Sequence, residues 1–246
     1  MRNGTTGKFT EAGSVYDNMP YAGFAALEML VVEKALRLVW SESPKRFHCR
    51  RIDFNTAKED EISSALVNVF DNIWAHNRHL LLDLARLFEP VPTFNGHHGA
   101  VDYLGRVLKY KPDITFRRSF TDPRKSALNG GLFIEAKLVG QKNKMGEYCR
   151  DGLVRFIDGT YAWAMPQAMM LGYVQKTGQK LPDPLTRYFE RLGNSAQFRL
   201  EEGPVAFSVS HFANRSYLTV HDRTWNYPGT NRSPGPISML HLWLPI

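Results

Sequence analysis

Two short acidic motifs in the middle of the chain contain the residues best suited to chemistry. Asp113 follows Pro112, and Glu135 comes 22 residues later in the run Glu135-Ala136-Lys137. Side chains alternate between faces along a β-strand, so Glu135 and Lys137 would project from the same side. If the strands that contain Asp113 and Glu135 pair as a hairpin, two carboxylates and one ammonium come together. Because facing carboxylates repel unless a cation lies between them, this pattern predicts a divalent metal site.

The sequence around these motifs predicts the elements that must position them. The segments VLKYKPDITFRRSF and GGLFIEAKLV are rich in Ile, Phe, Thr and Val, which is typical of neighbouring strands. A wide connection over about 121–129 would join them. Before them, a helical pattern spans roughly 57–88, with Thr56 as its N-cap and Glu59 completing a capping box.

Two further helical patterns flank this central part. The first covers 21–40 and is expected to end near Pro44. The second covers roughly 147–175, with an interruption at Asp158-Gly159. A shorter helix, LTRYFERLG, follows the second pattern.

The C-terminal part changes to three β runs, VAFSVSHF, YLTVHDR and SMLHLWLPI. There is no internal repeat, no low-complexity tract and no long linker in the sequence. We therefore expect a flexible N-terminal arm over 1–20 and a single α/β domain over 21–246. Helices would lie before and between the strands of a mixed sheet.

The runs PDITF at 112–116 and FIEAK at 133–137 resemble the motifs of the PD-(D/E)xK nuclease superfamily, which has a restriction-endonuclease-like fold. The order of helix, strand hairpin and helix around them agrees with the αβββαβ core of that family, a mixed central sheet flanked by helices. The resemblance spans roughly 57–212, so the first helix and the last two strands would be additions. It implies a Mg²⁺-dependent endonuclease that hydrolyses phosphodiester bonds of DNA, with Mn²⁺ able to replace Mg²⁺.

The resemblance also implies a role for each motif residue. Asp113 and Glu135 would bind the metal ion together with the backbone carbonyl of Ala136. Lys137 would orient the attacking water and offset negative charge at the phosphorus. The ion would polarise the scissile phosphate and lower the pKa of its bound water.

Many members of the superfamily place a further acid on the helix that precedes the core strands. With about 100° per residue, Glu59 lies about 50° from the centre of the apolar face, whereas Glu61 lies about 110° away. We therefore choose Glu59 as the auxiliary acid, and its capping role stays an equally weighted alternative. Asp60 and Glu61 are expected on a solvated face.

The chain is basic, with 31 Lys and Arg against 24 Asp and Glu and a formal net charge of +7. This excess favours a polyanionic partner, DNA or RNA, although solvated basic loops are the default alternative. Arg155 lies in the otherwise apolar run LVRF, so a salt bridge to a core carboxylate is the alternative to a phosphate contact. The predicted nucleic-acid-binding residues are Arg117, Arg118, Lys142, Arg150 and Arg155.

Several other classes of protein lack support in the sequence. Only Cys49 and Cys149 occur, so we expect neither a disulfide framework nor a cysteine zinc site, and a reducing cytoplasm is the expected location. No apolar run reaches the roughly 18 residues of a spanning helix, and a secretory signal is absent, so no membrane association is expected. The phosphate loop, dinucleotide fingerprint and nucleophile elbow are also absent.

Two alternative functions stay open at this point. One is a nucleic-acid-binding or scaffold subunit that keeps a nuclease-like fold with little or no catalysis, and the other is an RNA nuclease. Nearly the whole chain is used by the catalytic domain, so a homodimer or a partner subunit is expected to supply target choice. Stand-alone domains of this kind resemble effectors of bacterial or phage-related defence and repair systems.

Overall fold

The structure is a computed structural model that describes residues 19–47, 56–94, 101–109, 111–118, 130–140, 144–175, 180–213 and 215–246. Its α-helices are α1 (Ala26–Phe47), α2 (Glu59–Asn77), α3 (Leu82–Ala85), α4 (Lys144–Glu147), α5 (Val154–Ile157), α6 (Asp183–Phe189) and α7 (Asn194–Gln197). A 3₁₀ turn (Arg78–Leu81) joins α2 to α3, and a π-helical segment (Tyr148–Leu153) joins α4 to α5. The strands are β1 (Thr93–Phe94), β2 (Ile114–Arg117), β3 (Gly131–Val139), β4 (Gln167–Val174), β5 (Leu200–Ala206), β6 (Tyr217–His221) and β7 (Ile237–Pro245).

The described strands form one seven-stranded sheet in the order β1-β2-β3-β4-β7-β6-β5. The central strands β3, β4 and β7 run parallel, and the other neighbours pair antiparallel. All nine residues of β3 are buried, as expected for a strand covered on both faces. The predicted α/β class, with a mixed sheet flanked by helices, is confirmed.

The pairing of β2 with β3 divides their side chains between two faces of the sheet. Phe116 pairs with Leu132, and its ring contacts Phe70 of α2 with 5.5 Å between ring centroids. Side chains alternate along a strand, so Glu135 belongs to the opposite face. There the π-helical segment packs against it, with Gly152 close to Glu135.

Two predicted helix boundaries are wrong. Helix α1 begins at Ala26 and continues through Pro44 to Phe47. The helix therefore tolerates the missing backbone N–H of this proline. The helix predicted over 57–88 is interrupted, since α2 ends at Asn77 and a 3₁₀ turn then leads into α3. The apolar pattern of the sequence continues through this turn, so the pattern did not reveal the interruption.

The predicted helix over 147–175 is wrong in its second half, which forms β4. Residues 168–174 are buried between the parallel strands β3 and β7. A strand buried on both faces has a continuous apolar sequence, which periodicity alone does not distinguish from a buried helix. The last strand, β7, lies inside the sheet between β4 and β6.

The predicted N-terminal arm lies mostly outside the described residues, which begin at Met19. Met19 itself is buried in a small cluster with Trp163 and Tyr227. The short helix α6 and the last two C-terminal β runs are present, with shifted ends. The first run, VAFSVSHF, is wrong, since β5 ends at Ala206 and shares only its last two residues with that run. Among the described residues, every helix is too short or too polar to cross a membrane.

A buried chain of polar side chains crosses β6 and β7. His221 Nδ1 donates to the Phe198 carbonyl oxygen at 2.7 Å, so its Nε2 accepts a hydrogen bond from the Thr219 hydroxyl at 2.8 Å. The same hydroxyl accepts from His241 Nε2 at 2.8 Å, and His241 Nδ1 accepts from the Tyr148 hydroxyl at 2.9 Å. These roles follow from neutral imidazoles, because burial lowers the pKa of His221 to about 4 and that of His241 to about 3.

We expect these two histidines to destabilise the fold in mild acid because they are buried in the neutral form. Their folded-state pKa values lie below the ordinary 6.5, so their contribution is complete above that pH and is lost as the pH falls toward 4. Urea unfolding between about pH 7.5 and about pH 4.5 should show this loss. His241→Gln keeps a donor and an acceptor and should gain stability relative to the wild type as the pH falls.

The control for this experiment is His76→Gln, which changes an exposed histidine of α2. It should leave the slope of unfolding free energy against pH as in the wild type. A slope in His241→Gln as steep as that of the wild type would contradict the prediction.

Candidate active site

The overhang of β3 beyond β2 positions two carboxylates. The pairing of the two strands ends at the first residue of β2, so the last part of β3 projects past it. The Asp113 carboxylate accepts a hydrogen bond from the Ala136 backbone N–H at 2.6 Å. The Glu59 carboxylate accepts one from the Leu138 backbone N–H at 2.9 Å. The two acids therefore occupy the edge that a longer β2 would have covered.

Asp113 and Glu135 lie opposite each other. Ile114 pairs with Ile134, and the same register sets Asp113 beside Glu135. Both acids are buried, with relative exposures of 7% for Asp113 and 1% for Glu135. Burial, together with the charge of Glu135, raises the pKa of Asp113 to about 8, and burial raises the pKa of Glu135. Such a pair holds its two negative charges only when a positive charge is close by.

Lys137 supplies one positive charge at this site. Its Nζ lies 2.7 Å from Glu135 Oε1, 3.3 Å from Glu59 Oε2 and 3.0 Å from the Ala136 carbonyl oxygen. Burial acts to lower the pKa of Lys137, but the carboxylates of Glu135 and Glu59 outweigh burial and raise that pKa above its ordinary value. Lys137 is therefore a fixed cation at neutral pH.

Arg155 is a second cation on Glu135. Its Nη1 donates to Glu135 Oε1 at 2.8 Å and to the Tyr161 hydroxyl at 3.0 Å. Lys137 and Arg155 therefore share one oxygen of Glu135. The other oxygen, Oε2, is buried and has no hydrogen-bond partner among the described residues.

Two glycines shape the backbone that surrounds Glu135. A Cβ on Gly152 would lie 2.6 Å from Met170 Cε of β4 and 3.4 Å from Glu135 Cγ, so glycine lets the π-helical segment pack closely on the sheet beside the acid. Insertions of this π-helical type are frequent at functional sites. Gly159 has a φ of +78°, and a Cβ there would lie 2.7 Å from the ring of Trp225. This fixed turn precedes Tyr161 and sets its position.

The capping box of α2 uses other residues than predicted. Lys58 is the N-cap, and its backbone N–H donates to Glu61 Oε2 at 2.8 Å. Thr56 lies outside the helix. Glu61 is exposed, as expected, but it also takes the capping role proposed for Glu59. Glu59 is thus available to contact Lys137.

Arg118, predicted to contact nucleic acid, has internal partners. Its guanidinium donates to the carbonyl oxygens of Ala22 and Gly23 and to the Glu28 carboxylate at 2.8 Å. It also lies over the ring of Phe24, 4.3 Å from the centroid. These contacts hold the segment before α1 against the end of β2, which is a structural role.

The other predicted nucleic-acid contacts differ in their surroundings. Arg117 Nε lies 3.9 Å from a Glu89 carboxylate oxygen. Arg150 is exposed, with its guanidinium beside Gly146. Lys142 lies outside the described residues. Of the predicted set, Arg155 is joined directly to the acids.

The oxygen atoms of this site fit a hard divalent ion. No three His, Cys, Asp or Glu side chains within the described ranges form a ready-made cluster. The available ligands are instead the two carboxylates Asp113 and Glu135 and the carbonyl of Ala136. Mg²⁺ binds through one or two carboxylates and keeps several waters. The unpaired Oε2 of Glu135 and the raised pKa of Asp113 both favour a cation here.

We expect Asp113→Asn to stabilise the metal-free protein at alkaline pH. The folded-state pKa of about 8 exceeds the ordinary 3.8, so ionisation of Asp113 destabilises the fold as the pH rises through this interval. Asparagine stays neutral. The melting temperature of Asp113→Asn in chelator should therefore exceed that of the wild type by several degrees at about pH 9. Near pH 4 the variant and the wild type should have the same melting temperature. An equal difference in melting temperature at both pH values would exclude the ionisation of Asp113 as the cause.

Two supports of this site are not apparent from the sequence pattern. The backbone N–H of Leu138 holds Glu59, and the absence of a side chain at Gly152 admits the π-helical segment. The available signal for the second is a glycine inside an apolar helical run, DGLVRF. In a comparison with known proteins, no family model, curated protein or solved structure matches this chain.

Proposed function

We propose that this protein is a metal-dependent nuclease that hydrolyses phosphodiester bonds of DNA. The observation that supports it best is the asymmetric environment of Glu135. Two cations hold its Oε1, while its buried Oε2 is unpaired among the described residues and Asp113 lies opposite. A carboxylate held by one oxygen offers the other to a metal ion.

The order of the elements supports a restriction-endonuclease-like core. The helical residues 59–85, strands β1, β2 and β3, the helical residues 144–157 and strand β4 follow one another as αβββαβ. The strands β2 and β3 are antiparallel, whereas β3 and β4 are parallel. In this arrangement α1 and the strands β5, β6 and β7 extend the core on its other side.

The residues of the site have different proposed roles. Asp113, Glu135 and the carbonyl of Ala136 would hold the ion, which when bound polarises a phosphate oxygen and acidifies a bound water. Lys137 stays protonated because its pKa is raised, so it acts as a hydrogen-bond donor and positive charge and not as a general base. Glu59 accepts from Lys137 and fixes the direction of its ammonium.

Incubation of the purified protein with nucleic acids tests this proposal. Supercoiled plasmid, linear duplex, single-stranded DNA and RNA are each treated with Mg²⁺, Mn²⁺ or chelator. We expect DNA cleavage with either metal and none with chelator. Binding without cleavage under all of these conditions would favour a scaffold subunit. Degradation of RNA while DNA survives would make the protein an RNA nuclease.

A further inference from the structure

We infer that Arg155 and Tyr161 are positioning residues, which hold Glu135 so that its Oε2 faces the metal ion and Lys137 remains available to the reacting groups. This inference rests on the proposed function. It assigns to Arg155 a different task from the phosphate contact that its charge suggests. The partner of its guanidinium is the acid itself.

The shared oxygen is the first step of the argument. Glu135 Oε1 accepts from Lys137 at 2.7 Å and from Arg155 at 2.8 Å. If Lys137 were its only partner, a turn of the ammonium toward water or phosphate would leave a buried oxygen unpaired, which is costly. Arg155 keeps that oxygen paired. Lys137 can then donate to the substrate without releasing Glu135.

The local fold shows how Arg155 is held in place. The Tyr161 backbone N–H donates to the Arg155 carbonyl oxygen at 2.8 Å, so the two residues close one turn. The Tyr161 hydroxyl accepts from the Arg155 guanidinium at 3.0 Å. Its ring packs edge-to-face on Phe156 with 5.6 Å between centroids. Gly159, with φ of +78°, makes the turn possible. This rigid turn aims the guanidinium at Glu135.

Arg155→Lys is the sharpest test because it keeps the charge and removes the planar guanidinium. Nη1 makes the contacts to both Glu135 and Tyr161, and it lies one bond farther from the backbone than a lysine Nζ, so the ammonium of Arg155→Lys cannot occupy the same place. We expect the Mn²⁺ dissociation constant, measured by calorimetry without DNA, to rise about tenfold or more. Tyr161→Phe, which keeps the Glu135 contact, should give a smaller change in the same direction. In cleavage assays, kcat should fall in Arg155→Lys while KM for DNA stays as in the wild type.

The matched control is Arg187→Lys, an exposed arginine of α6 that pairs with Asp183 at 3.7 Å. It should leave Mn²⁺ affinity unchanged. Near-ultraviolet circular dichroism of each variant confirms that the fold is retained. A wild-type Mn²⁺ affinity in folded Arg155→Lys would overturn the inference.

DNA binding in chelator separates a positioning role from a phosphate contact. Arg155→Gln removes the charge, and under the positioning role its DNA affinity should match that of the wild type. Weaker binding with a salt dependence reduced by about one counterion would identify a phosphate contact and overturn the inference. If the wild type binds Mn²⁺ in the predicted, Arg155-dependent way but cuts no nucleic acid, the nuclease proposal fails while the positioning role stands.

Discussion

Glu135→Gln is expected to lower the rate of metal-dependent cleavage by about 10³-fold or more. The substitution keeps the volume of the side chain but removes the negative charge that a metal ion would bind. The amide would also put either an oxygen or an NH₂ group where the unpaired Oε2 now lies. Mn²⁺ binding measured without DNA should be lost together with cleavage.

The fold should survive this substitution because the carboxylate is already costly to bury. Burial raises the pKa of Glu135, so its ionised form destabilises the protein, although the loss of its ion pairs with Lys137 and Arg155 offsets part of the gain. Asp83→Asn is the matched control, since it makes the same chemical change on the surface of α3. Cleavage by Glu135→Gln within about tenfold of the wild type would refute the role of Glu135 as a metal ligand.

The central hairpin was predictable because its sequence signal is local. Alternation along β3 puts Glu135 and Lys137 on one side, and the apolar runs before each motif mark both strands. The register then brings Asp113 opposite Glu135. The meeting of these residues with Glu59 depends on the overhang of β3. Strand length sets that overhang, and periodicity fixes strand ends poorly.

The errors in the fold concern long-range order. The run QAMMLGYV lacks a polar face, so helix and buried strand are equally compatible with it. It becomes β4 because β3 and β7 cover both of its edges. The central place of β7 is decided by the same sheet and not by its own residues. The shift of the capping box from Glu59 to Glu61 is a two-residue error in where α2 begins.

The sequence alone did not identify the partner of Arg155. An arginine in an apolar run needs a compensating group, and both a phosphate and a core carboxylate satisfy that need. The choice depends on the π-helical segment, whose glycine brings the chain onto β3. A π-helical turn contains more residues than an α-helical turn, and no local pattern in CRDGLVRF specifies it. The structure selects Glu135 as the partner.

Lys137→Gln is expected to separate metal binding from cleavage. The substitution removes a positive charge 2.7 Å from Glu135 Oε1, so Mn²⁺ affinity should stay equal or increase. Cleavage should nevertheless fall by about 10²–10³-fold, because the substitution removes the donor that we propose to orient the water and to stabilise charge at the phosphorus. Calorimetry with Mn²⁺ and single-turnover cleavage of linear DNA measure the two effects on the same preparation.

The contrast between the two substitutions identifies what each residue does. Glu135→Gln should lose metal and cleavage together, whereas Lys137→Gln should lose cleavage alone. Lys34→Gln, on the exposed side of α1, controls for the loss of one lysine charge and should cut DNA at the wild-type rate. If Lys137→Gln lost Mn²⁺ binding as well, Lys137 would serve the structure of the site, since Arg155 alone would not then suffice to hold Glu135.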